Sequence, residues 1–231
     1  MMRIVPVLDL KGAIVVHARR GQRADYAALR SPLVDSSEPV AVARALCAIC
    51  RTQTLYVADL DALAGQPLDE PTLLALSAVA EPWVDAGAVT PERAEALRRA
   101  GAARNVVGTE SLGPGAPPEG DGGPSLVLSV DLRDGRLISP DAALAGRSPA
   151  AAAPLARAMA VSEVLVIDLA RVGSGAGPPL DAVAELASAL PGVAIYAGGG
   201  VRDDGDLRAL ESAGATGALV ATALHEGRVT P

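Results

Sequence analysis

Short apolar runs rich in valine, isoleucine and leucine recur along the chain, separated by segments in which apolar residues follow helical spacing. The runs lack strict alternation of apolar and polar positions, which is typical of parallel strands buried on both faces. This regular βαβα order predicts an α/β fold with a parallel sheet. The clearest helices are predicted over Glu38–Cys50, Thr90–Ala102, Asp181–Gly192 and Asp203–Ala215, the first of them capped by Ser36 and Ser37.

The chain also carries an internal repeat. Ile4–Gly12 (IVPVLDLKG) returns as Leu126–Arg136 (LVLSVDLRDGR) just past the midpoint. Three further pairs follow in the same order: Tyr56–Gly65 with Val166–Gly175, Val84–Val89 with Tyr196–Val201, and Asn105–Leu112 with Gly217–Leu224. Four matched pairs predict eight strands, and the length suits a single (β/α)8 TIM barrel over residues 1–231. Its two half-barrel repeats are predicted at about residues 1–124 and 125–231.

Two stretches depart from the regular order. Ser111–Ser125 (SLGPGAPPEGDGGPS) is too rich in glycine and proline for the fourth barrel helix, so a loop is predicted in its place. Gly12–Ser37 is a long first connection with four arginines, at the end of the barrel where such loops close over ligands. His17 is placed in a hairpin or loop of this connection, where it could touch ligand, but an exposed position is favoured. His225 is predicted to lie on a short terminal helix.

Composition and charge exclude several classes of protein. The formal net charge is −7 without a basic stripe, which argues against DNA or RNA as a partner and favours a small molecule. The first residues do not resemble a signal peptide, and no apolar run approaches the roughly 20 residues that span a bilayer. A cytoplasmic protein is therefore predicted. Cys47 and Cys50 are predicted to be structural residues of a helix, and no metal site is expected.

Both copies of the first repeat end on an aspartate, Asp9 in the first strand and Asp131 in the fifth. In a parallel barrel the carboxyl ends of all strands open to one face, and strands four apart lie opposite each other. Two carboxylates across one substrate suit acid and base catalysis if their surroundings separate their pKa values. Such an aspartate can also simply cap a turn, but duplication at equivalent strand ends favours catalysis.

Glycine-rich strand ends predict a phosphate site, because bare backbone N–H groups and a helix N-terminus can approach an anion closely. The alternative for any one of these glycines is a tight turn. The site is predicted after the seventh and eighth strands, with two side chains as additional donors. The residues are Gly198, Gly199, Ala221, Thr222, Ser174 and Arg202.

By the internal repeat, a second anion site would lie after the third and fourth strands, near Gly87, Gly108 and Thr109. Only one glycine remains at the third strand end, where the other half of the chain has three. The acidic Asp85 also precedes it, and its charge opposes an anion. This second site is therefore predicted to be weaker or empty.

These residues resemble a known family, the histidine-biosynthesis barrels. The family comprises ProFAR isomerase (the phosphoribosylformimino-aminoimidazole carboxamide ribotide isomerase) and the cyclase subunit of imidazole glycerol phosphate synthase. The resemblance covers nearly the whole chain and rests on PVLDLKG, SVDLRDGR, DLARVGSGAGP, AGGGV and VATALHEGR. It implies that Asp9 is the catalytic base and Asp131 the acid. It also implies substrate or phosphate contacts along the sixth-strand segment, at Asp168, Gly173, Ser174 and Gly177.

The isomerase reaction that the resemblance implies is an Amadori rearrangement. The acid protonates the ribose ring oxygen, the ring opens to an iminium, and the base removes the C2 proton, so that an aminoaldose becomes an aminoketose. Both steps are proton transfers, so no cofactor is expected. The expected partner is a small phosphorylated metabolite, with no nucleic acid, no membrane and no glutaminase subunit.

The chain departs from the family pattern at the third and sixth strands. AGAVT (Ala86–Thr90) stands where the family has GGGIR, Ile167 replaces a threonine, and Val172 replaces an aspartate. These changes predict a substrate other than the histidine intermediate. Ala18–Val40 and WVDAGAV resemble a separate branch of methanogens and methylotrophs, suspected of one-carbon carrier (methanofuran or tetrahydromethanopterin) biosynthesis. A cyclase or lyase and a non-catalytic phosphate-binding barrel are the remaining alternatives.

Overall fold

Eight parallel strands close into a barrel. The computed structural model describes residues 2–87, 90–112 and 125–230. The barrel strands are β1 (Arg3–Lys11), β2 (Thr54–Asp59), β3 (Glu81–Asp85), β4 (Arg104–Gly108), β5 (Ser125–Arg133), β6 (Glu163–Asp168), β7 (Ala194–Gly198) and β8 (Gly217–Val220). They pair in chain order, and β8 returns to β1 with Gly217 beside Arg3. Because eight parallel strands pair in chain order and close on themselves, the predicted (β/α)8 barrel is confirmed. β1 and β5 lie four strands apart in this barrel, as predicted.

Helices connect the strands. They are α1 (Pro39–Cys50), α2 (Leu60–Leu63), α3 (Glu70–Ser77), α4 (Pro91–Arg99), α5 (Ala153–Ala158), α6 (Leu180–Ala189), α7 (Asp204–Ser212) and α8 (Thr222–His225), with short 3-10 helices at Arg23–Asp25 and Pro149–Ala152. The four helices predicted from the sequence are present as α1, α4, α6 and α7. The predicted cap of α1 is wrong, because the carboxylate of Glu38 accepts the hydrogen bonds from the backbone N–H groups of Val40 and Ala41.

The stretch predicted to replace the fourth helix lies mostly outside the described residues, which stop at Leu112 and resume at Ser125. The predicted short terminal helix is present as α8, and it carries His225. In the part of the chain that the structure describes, no helix is long and apolar enough to cross a membrane.

β1 and β5 both continue beyond the barrel into short antiparallel hairpins. A hairpin or a loop was expected after β1, whereas the hairpin after β5 was not predicted. β1 pairs with Ile14–Val16, and β5 pairs with Arg136–Leu137. Both two-residue turns need positive φ, which suits the right-handed twist of the flanking strands. The turn residues are Gly12, Ala13, Asp134 and Gly135. The two hairpins therefore extend opposite strands at the end of the barrel where Asp9 and Asp131 lie.

Alternating side chains of the strands divide the core into two layers. An outer layer packs between strands and helices and includes Leu8, Leu46, Leu55, Leu128 and Leu186. An inner layer fills the barrel and includes Val5, Tyr56, Trp83, Val127, Leu165 and Tyr196. Asp85 follows the inner residue Trp83 by two positions, while Asp9 and Asp131 each follow an inner valine by four. The period of two therefore directs all three carboxyl groups into the barrel at its carboxyl end.

Candidate active site

The carboxyl ends of the strands surround a cavity of about 360 Å³. The first strand-to-helix connection forms part of its wall, as its length predicted, with Arg19, Arg23 and Tyr26 among the lining residues. The prediction that His17 is exposed is wrong, because His17 is partly buried and lines the cavity. Its Nε2 atom lies 3.3 Å from Thr222 Oγ1, so the connection reaches across to the end of β8.

Asp9 lies near the carboxyl end of β1, and its side chain forms part of the cavity wall. Burial raises the pKa of its carboxyl group from 3.8 to about 7, while nearby Arg23 lowers this pKa and Asp85 raises it. No described backbone or side-chain group donates a hydrogen bond to this carboxylate. Asp9 is therefore a carboxyl group that faces the cavity and exchanges its proton near neutral pH, as a general base must.

Asp131 lies on the opposite strand and is only 3% exposed. Ser129 Oγ donates a hydrogen bond to its Oδ1 atom at 2.6 Å, and the backbone N–H of Glu110 donates to Oδ2 at 3.1 Å. The backbone N–H of Asp131 itself donates to Thr109 Oγ1 at 2.9 Å. A Cβ atom at Gly108 would stand 2.5 Å from Asp131 Oδ2. Gly108 and Thr109 therefore fix the position of the Asp131 carboxyl group.

The surroundings of Asp131 favour its neutral form. Burial raises its pKa well above the usual range, and the neighbouring carboxyl groups of Asp85 and Glu110 raise it further. The shift favours the form of Asp131 that can donate a proton, which suits the acid of the predicted pair.

Asp85 is a third carboxyl group in the cavity. The only role predicted for it from the sequence was repulsion of a phosphate. It is 5% exposed, and the Tyr56 hydroxyl donates a hydrogen bond to its Oδ2 atom at 3.1 Å. Burial raises the pKa of Asp85 to about 6, and the charge of Glu110 adds to this rise. The sequence does contain a signal for this role. Asp85 ends an apolar run and points into the barrel, as Asp9 and Asp131 do.

An ion pair joins the first connection to the end of β4. The guanidinium group of Arg23 donates a hydrogen bond to Glu110 Oε1, and both side chains line the cavity. Arg23 also acts on the two nearby aspartates, because its charge lowers the pKa of Asp9 and of Asp85. This connection was predicted to close over ligand, but no role was predicted for Arg23 or Glu110.

The opposite wall of the cavity, at the ends of β6, β7 and β8, is built from glycines and hydroxyl side chains. Six residues of the predicted phosphate site line it: Gly173, Ser174, Gly198, Gly199, Ala221 and Thr222. A Cβ atom at Gly199 would stand 2.7 Å from the carbonyl oxygen of Asp168, and one at Gly200 would stand 2.3 Å from that of Gly177. Glycine is therefore required here, because the β7 end packs directly against the backbone after β6.

Comparison with known proteins adds a family to this geometry. A family model described as histidine biosynthesis protein matches residues 3–230. The chain belongs to this family. The resemblance deduced from the sequence is thereby confirmed.

Two of the similar proteins carry the name of the same isomerase. The 1-(5-phosphoribosyl)-5-((5-phosphoribosylamino)methylideneamino) imidazole-4-carboxamide isomerase (ProFAR isomerase) of Rubrobacter xylanophilus is 37% identical, over 98% of this chain and 93% of its own. The isomerase of the same name from Sorangium cellulosum is 33% identical, over 99% and 96%. An uncharacterized protein of Methanocaldococcus jannaschii is 28% identical, over 98% and 94%. The predicted class, an isomerase-type enzyme, agrees with these relatives.

Several residues predicted to bind substrate do not line the cavity in this histidine-biosynthesis barrel. Gly87, Gly108 and Thr109 are buried. The backbone N–H of Gly87 points at Asp85 Oδ1, 3.4 Å away. Gly177 packs against the guanidinium group of Arg202, and that group is held by Asp206 through hydrogen bonds of 2.8 and 2.7 Å. Two N–H groups of Arg202 are thus already used in hydrogen bonds to the carboxylate of Asp206, near the start of α7.

Asp168 is fully buried, with contacts to the backbone of two loops. Its carboxylate accepts hydrogen bonds from the N–H groups of Asp134 and Gly135 in the hairpin turn, at 3.3 and 3.0 Å, and from that of Ala170 at 3.1 Å. Arg171 lies 3.5 Å away. Asp168 therefore ties the β5 hairpin to the segment after β6.

Asp168→Asn is expected to lower the free energy of unfolding by about 1 to 3 kcal/mol, because an amide nitrogen would replace one acceptor oxygen opposite buried N–H donors. Urea denaturation monitored by circular dichroism measures this difference. The matched control is Asp181→Asn on the exposed side of α6, expected to stay within about 0.5 kcal/mol of the wild type. Equal stability of the two variants would contradict the structural role of Asp168.

Proposed function

We propose that the protein is an aldose–ketose isomerase that rearranges a phosphorylated sugar amine, with Asp131 as the acid and Asp9 as the base. The observation that carries the proposal is the pair itself: two carboxyl groups lie on opposite strands of one cavity, and burial raises the pKa of both. Family membership supports it, because relatives across the full length of the chain are named isomerases.

In the first step, neutral Asp131 donates its proton to the ring oxygen of the aminoaldose. The bond between C1 and this oxygen breaks, and the nitrogen lone pair forms a C1=N iminium. The buried position of Asp131 and its neighbouring carboxyl groups favour the neutral form before the step. The hydrogen bonds from Ser129 and from the Glu110 backbone stabilise the carboxylate that is left afterwards.

In the second step, ionised Asp9 removes the C2 proton. The electrons of this C–H bond form C1=C2, the iminium nitrogen regains its lone pair, and an enaminol results. Gain of a proton at C1 and loss of the 2-hydroxyl proton give the aminoketose. A pKa of about 7 keeps a large share of Asp9 ionised at neutral pH while leaving it a stronger base than an exposed aspartate.

The substrate phosphate is proposed to bind at the glycine-rich wall formed by the ends of β6, β7 and β8. Gly198, Gly199 and Thr222 line the cavity there, and backbone N–H groups are good donors to a phosphate. Ser174 also lines this wall. With the phosphate there, the sugar ring would extend toward Asp9 and Asp131.

The substrate is proposed to differ from the histidine-pathway intermediate and to belong to one-carbon carrier biosynthesis. Ala86–Thr90 lacks the arginine and two of the glycines of the family motif, and the nonpolar Ile167 and Val172 line the cavity instead of polar residues. Contacts between charged groups contribute about 1.5 to 3 kcal/mol each, so two or three lost contacts lower kcat/KM by several orders of magnitude.

Asp9→Asn and Asp131→Asn are each expected to lower kcat on an aminoaldose with a single phosphate by about a hundredfold or more, because each removes one proton-transfer group. Single-turnover assays at high enzyme concentration measure the effect. Circular dichroism and melting curves serve as the control for folding. Full activity in either variant would exclude that residue from the mechanism, and a folded wild type that binds phosphate without turnover would favour a non-catalytic barrel.

The pH dependence of kcat/KM is expected to rise to a plateau above about pH 7, because Asp9 must lose its proton to act as a base. Two pH units below that pKa, activity should be about a hundredfold below the plateau. Asp85→Asn should move this rise to lower pH, since the charge of Asp85 raises the pKa of Asp9. A profile that stays flat from pH 5 to 8 in folded enzyme would argue against Asp9 as the base.

A histidine auxotroph that lacks ProFAR isomerase should grow poorly when this protein is expressed at ordinary levels, because the proposed substrate is different. Growth on medium without histidine measures the rescue, with the Rubrobacter xylanophilus isomerase as the positive control. Robust growth would return the histidine intermediate to first place as the substrate.

A further inference from the structure

The two ends of the cavity differ in charge. We call the wall at the ends of β3 and β4 the acidic end, defined by Asp85, Glu110 and the Tyr56 hydroxyl. The opposite wall, with Ser174, Gly199 and Thr222, offers backbone and hydroxyl groups. The carboxylate of Glu226, which also lines the cavity, is paired with Arg228. An anion seated at the second wall would leave the other end of the ligand beside carboxyl groups.

The charges at the acidic end are only partly neutralised within the protein. The guanidinium group of Arg23 is paired with Glu110. Among the described residues, no ion pair joins a cation to Asp85, whose carboxylate receives hydrogen bonds only from Tyr56 and, over 3.4 Å, from Gly87. At neutral pH Asp85 is largely ionised, since its pKa is about 6. A buried carboxylate without an ion-pair partner favours a positively charged or strongly donating group in the ligand.

Asp9 gives an independent observation at the same end. Its side chain is partly buried and lines the cavity, and none of the described backbone or side-chain groups donates a hydrogen bond to its carboxyl group. A carboxylate placed in this way has unused acceptor capacity toward the cavity. The cavity at this end therefore offers two acceptors, on Asp9 and Asp85, to whatever group of the ligand lies there.

The volume of the cavity supports a compact ligand. About 360 Å³ lies near the lower bound of the roughly 300–1,000 Å³ usual for small-molecule sites. A sugar with one phosphate and one amino group is compact, whereas a substrate with a ribose phosphate at each end is much longer. A second phosphate would also meet Asp85 and Glu110, charges of the same sign.

We infer that Asp85 is a specificity-determining residue, which seats a protonated amine of a monophosphorylated substrate at the acidic end and excludes a second phosphate. This amine is a second nitrogen of the substrate, because the C1 nitrogen needs its lone pair to form the iminium. The inference rests on the proposed function for the position of the phosphate. It adds the chemical class of the opposite end of the substrate, a cationic nitrogen, and names the carboxylate that recognises it.

Isothermal titration calorimetry at pH 7 with three probes on one sugar scaffold tests this inference. Wild-type protein is expected to bind glucosamine 6-phosphate at least tenfold more tightly than glucose 6-phosphate, and glucose 1,6-bisphosphate at least tenfold more weakly than the latter. Asp85→Asn should reduce the amine preference to under threefold and strengthen binding of the bisphosphate. Asp181→Asn removes an exposed charge on α6 and should keep the wild-type order.

The wild-type order of affinities is decisive even if Asp85→Asn does not fold. Preference for the bisphosphate over the monophosphate, or no advantage from the amine, would overturn the inference, and so would an unchanged order in folded Asp85→Asn. Failure of the proposed function has a different signature, namely the expected order of binding without turnover of any aminoaldose phosphate. No saturable binding of any probe at millimolar concentration would overturn the phosphate site and this inference together.

Discussion

The pleat of the barrel strands decides which side chains enter the closed interior, and the chemistry of the cavity depends on that phase. Three aspartates point into the barrel in the same phase as the apolar residues that fill it, so their carboxyl groups lose much of their contact with water. They are Asp9, Asp85 and Asp131. Withdrawal from water disfavours the charged form of each group, and nearby carboxylates disfavour it further. Three carboxyl groups in one cavity therefore cannot all ionise near neutral pH, and the order in which they do so is set by their local contacts.

Those contacts differ between the two proposed proton-transfer groups. Asp131 is held by Ser129, by the backbone of Glu110 and by the bond from its own backbone to Thr109. Asp9 lacks comparable hydrogen bonds among the described residues but lies close to the charge of Arg23. The structure thus fixes one carboxyl group and favours its neutral form, whereas the other faces the ligand space with a pKa of about 7. This difference is what the direction of a proton-transfer reaction requires.

Much of the fold was predictable because periodicity and turn residues are local signals. The repeat and the apolar runs identified the eight strands, four helices and the opposed pair Asp9 and Asp131. The sequence pattern after β1 did not distinguish a hairpin from a loop, since its positive-φ turn includes Ala13, a residue that carries no turn signal. The hairpin after β5 was missed although its turn, Asp134 and Gly135, carries a clear hairpin signal. The contacts of Asp168 with the β5 hairpin turn were also inaccessible, because they join segments about 34 residues apart whose approach only the closed barrel determines.

The role of Asp85 was missed because the sequence match of the two halves is one residue out of phase with the strands. The match set Val84 against Tyr196, but the structure places the rings of Trp83 and Tyr196 edge to face inside the barrel. Each ring lies two residues before its strand end, so the residue equivalent to Asp85 is Gly198. At equivalent positions one half therefore presents a carboxylate and the other a bare backbone. The difference between aspartate and glycine at this strand end thus gives one end of the cavity a negative charge that the other lacks.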